Sequence, residues 1–379
     1  MGDTDRCPSC GLPLSLGRKL VWTEDGGIYF RDKRSDRLIF LEHEDVSLIV
    51  AEGVKLRGEE LLKTLREKRR AFTRGEVVLQ LGGVRRRLLG RRPLAGRVIR
   101  EAFREAAFYG SGNLSLSELK PGREMKVKVR HPYHPHLMAG DLWGFWEGLF
   151  GVEALASLAT VSEVEYEVTV KTVGRRRWPP GGEPHPRRPK RDYELEVCER
   201  CRLPAFPVEM RWDPDLGTIY LPADHRRLVI TSVRGWREIL QEINGSRREE
   251  LPSSLADAVT ARTAAVHASP SGGNYKTAYR NFFMGLPVLG WGKPRRVTRK
   301  PFLIDALIEG VPFPQLLSWK LGGVFQALER EVPEVEYRNR GDSTWNYLVG
   351  PRLEGTFLPV SSLAVPADLP ASLRVILPF

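Results

Sequence analysis

Two Cys-x-x-Cys pairs, Cys7/Cys10 and Cys198/Cys201, stand almost two hundred residues apart, and the sequence around them repeats. Two thiolates alone hold a metal poorly, because a closed structural site needs four ligands in a tetrahedron. The chain has 4 cysteines in all, so a four-cysteine site has to draw on both pairs; the alternative is two separate knuckles without metal. In the first copy Cys7-x-x-Cys10-x-Leu12-Pro13 leads to Trp22, Gly27-Ile28-Tyr29 and Arg37-Leu38. In the second, Cys198-x-x-Cys201-x-Leu203-Pro204 leads to Trp212, Gly217-Thr218-Ile219-Tyr220 and Arg227-Leu228. Glu59-Glu60-Leu61 recurs as Glu249-Glu250-Leu251, which keeps the offset near 190 and marks a tandem duplication. Further on, Phe108-Tyr109-Gly110-Ser111-Gly112 answers to Val288-Leu289-Gly290-Trp291-Gly292, the helix starting at Leu137 to the one starting at Leu316, and Tyr166 to Tyr347. The offset there is nearer 180, so the copies differ by about ten residues somewhere between.

The repeat is too long for a solenoid and implies two related domains, residues 1–175 and 192–379, joined by a linker at 176–191. The stretch GRRRWPPGGEPHPRRPKR carries much of the net charge of +12 and too little apolar surface to fold, as a solvated connector would. A second basic run, Arg85-Arg86-Arg87-Leu88-Leu89-Gly90-Arg91-Arg92, precedes a helix and suits a pocket wall or a phosphate contact. No apolar run approaches the roughly 20 residues of a membrane span, and none follows the initial Met as a signal segment would. A soluble, cytoplasmic protein is expected, in which paired cysteines bind metal in preference to forming disulfides.

Short apolar stretches after each Cys pair, Lys19–Trp22, Ile28–Phe30 and Arg37–Leu41, then Val208–Trp212, Thr218–Leu221 and Arg227–Thr231, predict the β-hairpin of a zinc ribbon. Helical spacing predicts helices over Glu59–Phe72, Gly96–Phe108 and His136–Val152, and alternation predicts strands at Met125–Arg130 and Val164–Thr172. The fold class is therefore α+β: two tandem pseudo-symmetric domains, each a CxxC hairpin followed by helices and antiparallel sheet.

The stretch HPYHPHLMAGDLWGFWEGLFG, followed by VEYEVTV, resembles the C-terminal half of the 4-vinyl reductase, or hydrocarbon-binding, domain. That family carries an apolar helix of the form AG-x-x-x-G-x-x-E-x-x-x-G before its last strand. The match covers about Gly110–Thr172, with a degraded version over Gly290–Val349. The resemblance implies a fold akin to TRAPP subunits, dimer formation and a buried tunnel for a small apolar molecule. Family members often place cysteines near the last two strands; Glu153–Val170 has none.

Equivalent Cys pairs in a fused dimer come together across the dimer axis, so Cys7, Cys10, Cys198 and Cys201 are expected to share one zinc; iron fits the same ligand set. His131, His134 and His136 form the one histidine cluster, but Gly310–Gln315 at the equivalent place has no histidine, which favours packing at a helix start over metal. Gly140, Gly144 and Gly148 let another element or a ligand approach their helix closely. Phe108, Tyr109, Trp143, Phe145 and Trp146 are the candidate walls of the apolar pocket, against the alternative of ordinary core packing. No nucleophile, general base or phosphate loop stands out, so a binding protein is favoured over an enzyme. The other reading is a basic zinc-ribbon protein that binds nucleic acid or serves as a subunit of a larger complex, consistent with a pI near 9.7.

Overall fold

The computed structural model describes residues 6–31, 36–81, 92–175, 197–201, 203–204, 210–221, 226–245, 251–268, 275–352 and 375–376. The first half runs α1 (Leu14–Lys19), β1 (Leu20–Trp22), β2 (Ile28–Phe30), β3 (Arg37–Glu42), α2 (His43–Arg57), α3 (Glu60–Leu81), α4 (Arg92–Phe108), β4 (Asn113–Lys120), β5 (Glu124–Arg130), α5 (Pro135–Phe150), β6 (Val152–Thr160) and β7 (Glu165–Arg175). The second runs β8 (Arg211–Asp213), β9 (Thr218–Leu221), β10 (Arg226–Ser232), α6 (Val233–Asn244), α7 (Ser253–His267), α8 (Tyr275–Val288), β11 (Lys293–Lys300), β12 (Leu303–Glu309), α9 (Pro314–Glu329), β13 (Pro333–Asn339), β14 (Trp345–Pro351) and the short β15 (Val375–Ile376). The α+β class is observed, with antiparallel sheets throughout. The 176–191 segment and the basic residues 82–91 lie outside the described residues.

Each half builds one four-strand sheet of the same order, β4-β5-β7-β6 and β11-β12-β14-β13, the second extended by β15. Two of those strands per half escape a sequence reading. β4 has a bulge between Leu116 and Glu118 that breaks its alternation, and β6 is largely small residues. The predicted equivalence of Tyr166 and Tyr347 shifts by two: Tyr166 pairs with Val129, whereas Tyr347 pairs with Ala306 and Trp345 with Ile308.

The third sheet belongs to both halves. Its order is β1-β2-β3-β10-β9-β8, and at its centre β3 pairs with β10. Phe40 lies opposite its own repeat equivalent Ile230, and on either side Leu38 lies opposite Ser232 and Glu42 opposite Leu228, so the pairing is symmetric about the Phe40–Ile230 pair. That is the isologous pairing of a two-fold axis, here inside one chain. The contacts beyond it are reciprocal. Trp22 Nε1 donates to the Val288 carbonyl at 2.9 Å and Trp212 Nε1 to the Phe108 carbonyl at 3.1 Å. The Phe40 amide donates to Leu289 and the Ile230 amide to Tyr109. Each hairpin therefore rests on the helix end of the opposite half.

Gly110 and Gly290 make this fit. Both have positive φ, 73° and 82°, and a Cβ would stand 2.2 Å from the Leu228 carbonyl at one and 2.8 Å from that of Leu38 at the other. Only glycine satisfies both demands.

His43 closes the same seam. It is 1% exposed, and its Nε2 donates to the Gly110 carbonyl at 3.0 Å. Burial, aided by nearby Arg227, lowers its pKa to about 3. A folded-state value below the unfolded one of about 6.5 means the stabilisation is complete above that pH and fades on acidification. We expect His43 to remove about 1.4 kcal/mol of stability per pH unit between roughly 6 and 4. Urea unfolding at several pH values, compared with His43→Gln, checks this; equal pH slopes in the two proteins would refute it.

In the main core α5 is sandwiched between α3 and the sheet of its own half. The helix is almost wholly apolar, and its glycines face α3: a Cβ on Gly140 would lie 2.5 Å from the Arg66 carbonyl, and on Gly144 2.3 Å from that of Arg70. Gly323 of α9 repeats the arrangement against Thr260 and Thr263 of α7. The close partner that the glycine spacing predicts is a neighbouring helix. Since Arg70 and Thr260 keep the 190 offset while Gly144 and Gly323 have the shorter one, the ten-residue difference falls between α3 and α4 and their counterparts.

Candidate metal centre and the cleft between the halves

Each Cys pair sits in a tight knuckle. The Cys7 amide donates to the Leu12 carbonyl at 2.8 Å, and the Cys198 amide donates to Leu203 at 2.8 Å. Isolated bridges Arg6 to Pro13 and Val197 to Pro204 close the two turns. The two-fold relation of the central sheet then carries one knuckle to the other. Cys7 Sγ lies 3.7 Å from Cys198 Sγ and Cys10 Sγ 3.4 Å from Cys201 Sγ, and all four sulfurs fall within 4.8 Å of one another. Sulfurs at about 2.3 Å from a tetrahedral zinc stand roughly 3.8 Å apart, so the set fits a single ion. Among the described residues no other group of His, Cys, Asp or Glu approaches this arrangement.

The sulfurs are not electrostatically alike. Burial would raise the Cys7 thiol, but amides of Cys10 and Ser9 and neighbouring sulfurs outweigh it and leave it at about 6. Amides of Cys201 and Arg200 lower Cys198 similarly, whereas burial raises Cys10 and Cys201. The first sulfur of each knuckle is thus favoured as thiolate by its own turn, the usual preparation for metal binding.

The histidine cluster does not assemble as ligands. His134 caps α5, its Nδ1 accepting from the Leu137 amide at 3.5 Å, and His136 contacts Arg66 at 3.4 Å. The predicted aromatic residues separate into different surroundings. Phe108 packs in the ribbon cluster around Cys7 and Cys201, with Tyr109 at its edge, where the hydroxyl donates to Glu105 at 2.8 Å. Trp143 and Trp146 are buried in the main core and donate to the Ala154 carbonyl and to Thr172 Oγ1, and Phe145 packs partly buried beside them.

A cleft of about 170 Å³ opens elsewhere, on the seam, and none of those five residues lines it. Phe30, Leu38, Phe72 and Ile230 give it apolar walls, and Asp36, Glu76 and Asp141 bring three carboxylates. Asp141 is neutralised: Arg69 reaches it at 2.7 Å, Thr73 and the Tyr133 hydroxyl each at 2.6 Å. Asp36 and Glu76 instead share Arg234, which is paired with Glu76 and lies 3.9 Å from Asp36. Burial, with Asp36 and Glu238 nearby, raises Glu76 to about 7 despite that arginine. Sequence reasoning missed this cleft because its walls come from β3, α3, β10 and the turns at Ser111 and Tyr133, brought together only by the interlocked halves.

No family model, curated protein or solved structure matches the chain. No helix among the described residues is long and apolar enough to cross a membrane.

Proposed function

We propose that this chain is a zinc-stabilised small-molecule-binding protein, a sensor, carrier or accessory protein rather than an enzyme, built as a fused pseudo-dimer of the 4-vinyl-reductase, hydrocarbon-binding kind. The observation that carries the reading is the convergence of Cys7, Cys10, Cys198 and Cys201 across the pseudo-two-fold seam, within 4.8 Å of one another. A metal there fastens the halves, and the partly apolar cleft lies on the same seam. The ligand gains mainly from burial, roughly 25 cal/mol per Å² of apolar surface removed from water. The nucleic-acid reading rests on the net charge of +12 and on two Arg-rich runs that fall largely outside the described residues.

Native mass spectrometry of the purified full chain tests the proposal. One zinc per chain and a mass addition by a small molecule are expected. Two metals per chain, or none, would refute the shared site. Tight DNA or RNA binding that falls steeply with salt, without any small-molecule adduct, would favour the other reading.

A further inference from the structure

The cleft has a counterpart in the second half, and that counterpart is full. Ser111, which lines the cleft, is equivalent to Trp291, whose indole is 4% exposed. The Trp291 Nε1 donates to the Phe40 carbonyl at 3.1 Å, and the ring meets Phe313 edge-on at 6.4 Å. Phe40 is the two-fold mate of Ile230, and Ile230 lines the cleft. The first half therefore presents the same strand position to its open space, where Ser111 has no ring to place.

Charges around the two sites are exchanged. In the second half Arg226 stands for Asp36, Lys320 for Asp141 and Glu42 for Ser232. Arg226 at 3.1 Å, Arg262 at 2.7 Å and Lys320 at 3.2 Å surround the Glu42 carboxylate, and Lys320 Nζ lies 5.7 Å from the Trp291 ring. Burial alone would raise Glu42, but these three cations hold it far below the usual carboxylate range. The second site is complete in itself: an aromatic ring and a compensated charge, both supplied by the chain. The first has acids where the second has bases, Asp36 at the place of Arg226 and Asp141 at the place of Lys320, with Glu76 beside them.

We propose that the cleft binds one compact aromatic amine, its ring taking the place that the Trp291 indole fills in the other half and its ammonium group facing Asp36 and Glu76. This rests on the small-molecule-binding reading and names its ligand class. A dry cavity of 150 Å³ accepts benzene, so about 170 Å³ suits a single flat ring system with a short amine arm.

Tryptamine is the probe, with indole-3-acetate as the same ring bearing the opposite charge, each titrated into the full chain by isothermal calorimetry. We expect one tryptamine per chain, bound about tenfold or more tighter than indole-3-acetate, since the charged hydrogen bond is present in one and repulsive in the other. Ser111→Trp should fill the cleft as Trp291 fills its mate and abolish binding, with unchanged circular dichroism and unfolding midpoint. Should that variant fail to fold, Glu76→Gln supplies the test, with tryptamine affinity falling about tenfold. No saturable tryptamine binding, equal or tighter binding of indole-3-acetate, or indifference to both substitutions would each overturn the proposal. If tryptamine fails while native mass spectrometry still finds a bound small molecule, the ligand class falls and the binding function stands.

Discussion

Replacing Cys7 and Cys198 together by serine is expected to abolish metal binding by the four-cysteine cluster and to lower the thermal unfolding midpoint by about 5–10 °C. The magnitude follows from linkage: an ion held at a thousand times its dissociation constant stabilises by about 4 kcal/mol, and 1 kcal/mol moves the midpoint of a large domain by about 2 °C. The effect falls on the seam. The knuckles are 191 residues apart in sequence, so the ion closes a loop of half the chain and suppresses the unfolded states in which the halves separate. The ribbon cluster depends on it too, because Cys7 and Cys201 pack there with Leu12, Leu16, Leu20 and Trp212. The cysteines pack in the ribbon cluster and not in the main core, so far-ultraviolet circular dichroism of the folded variant is expected to stay near that of the parent. Scanning calorimetry with elemental analysis on parent and variant decides the matter. A parent that holds no metal, or a variant with an unchanged midpoint, would refute the shared clamp.

The duplication makes this centre legible in the sequence alone. Repeats that align from Cys7 to Leu61 carry their cysteines to equivalent places, and an isologous pair of halves brings equivalent places together at the axis. The hairpin strands, α3 and α5 are legible as well: short apolar runs mark the strands, a helical stripe marks α3, and a long apolar run with spaced glycines marks α5. α2 escapes that reading although Val46, Ile49, Val50 and Gly53 form a buried stripe at helical spacing. The interlocking of the halves is not legible, because a hairpin resting on its own half or on the opposite half shows the same pattern of apolar residues. The cleft shares that difficulty, yet its signal is present in the aligned repeats: Ser111 beside Trp291, and Asp141 beside Lys320, are positions where the copies disagree in size and in charge. Divergence between repeats that share a fold marks where one half was freed from packing.

Glu147→Ala should be the most damaging single substitution in the main core, costing about 3–5 kcal/mol, the range for breaking a buried ion pair from one side. Glu147 is the acidic residue of the helix motif in α5 and is fully buried, at 0% exposure. Arg70 grips it with two bonds, 2.9 Å to Oε2 and 2.7 Å to Oε1, Arg74 adds one at 3.1 Å, and the Ala154 amide donates at 3.0 Å. The Arg70 guanidinium also lies 4.0 Å from the Trp143 ring centre. One carboxylate thus joins α3, α5 and the start of β6. Its removal takes from the Arg70 guanidinium its two-bond carboxylate partner and orphans the buried Ala154 amide, at a place where the glycines of α5 hold α3 close. Glu147→Gln keeps the shape and one acceptor but loses the charge, so its cost should lie between those of the parent and the alanine variant. Removing Arg70 as well should recover part of the loss, because the uncompensated charge goes with it. The urea midpoints of Glu147→Ala, Arg70→Ala and the double variant form a cycle that measures the coupling. Strictly additive losses would show that the cost of Glu147→Ala comes from lost packing and not from the stranded charge.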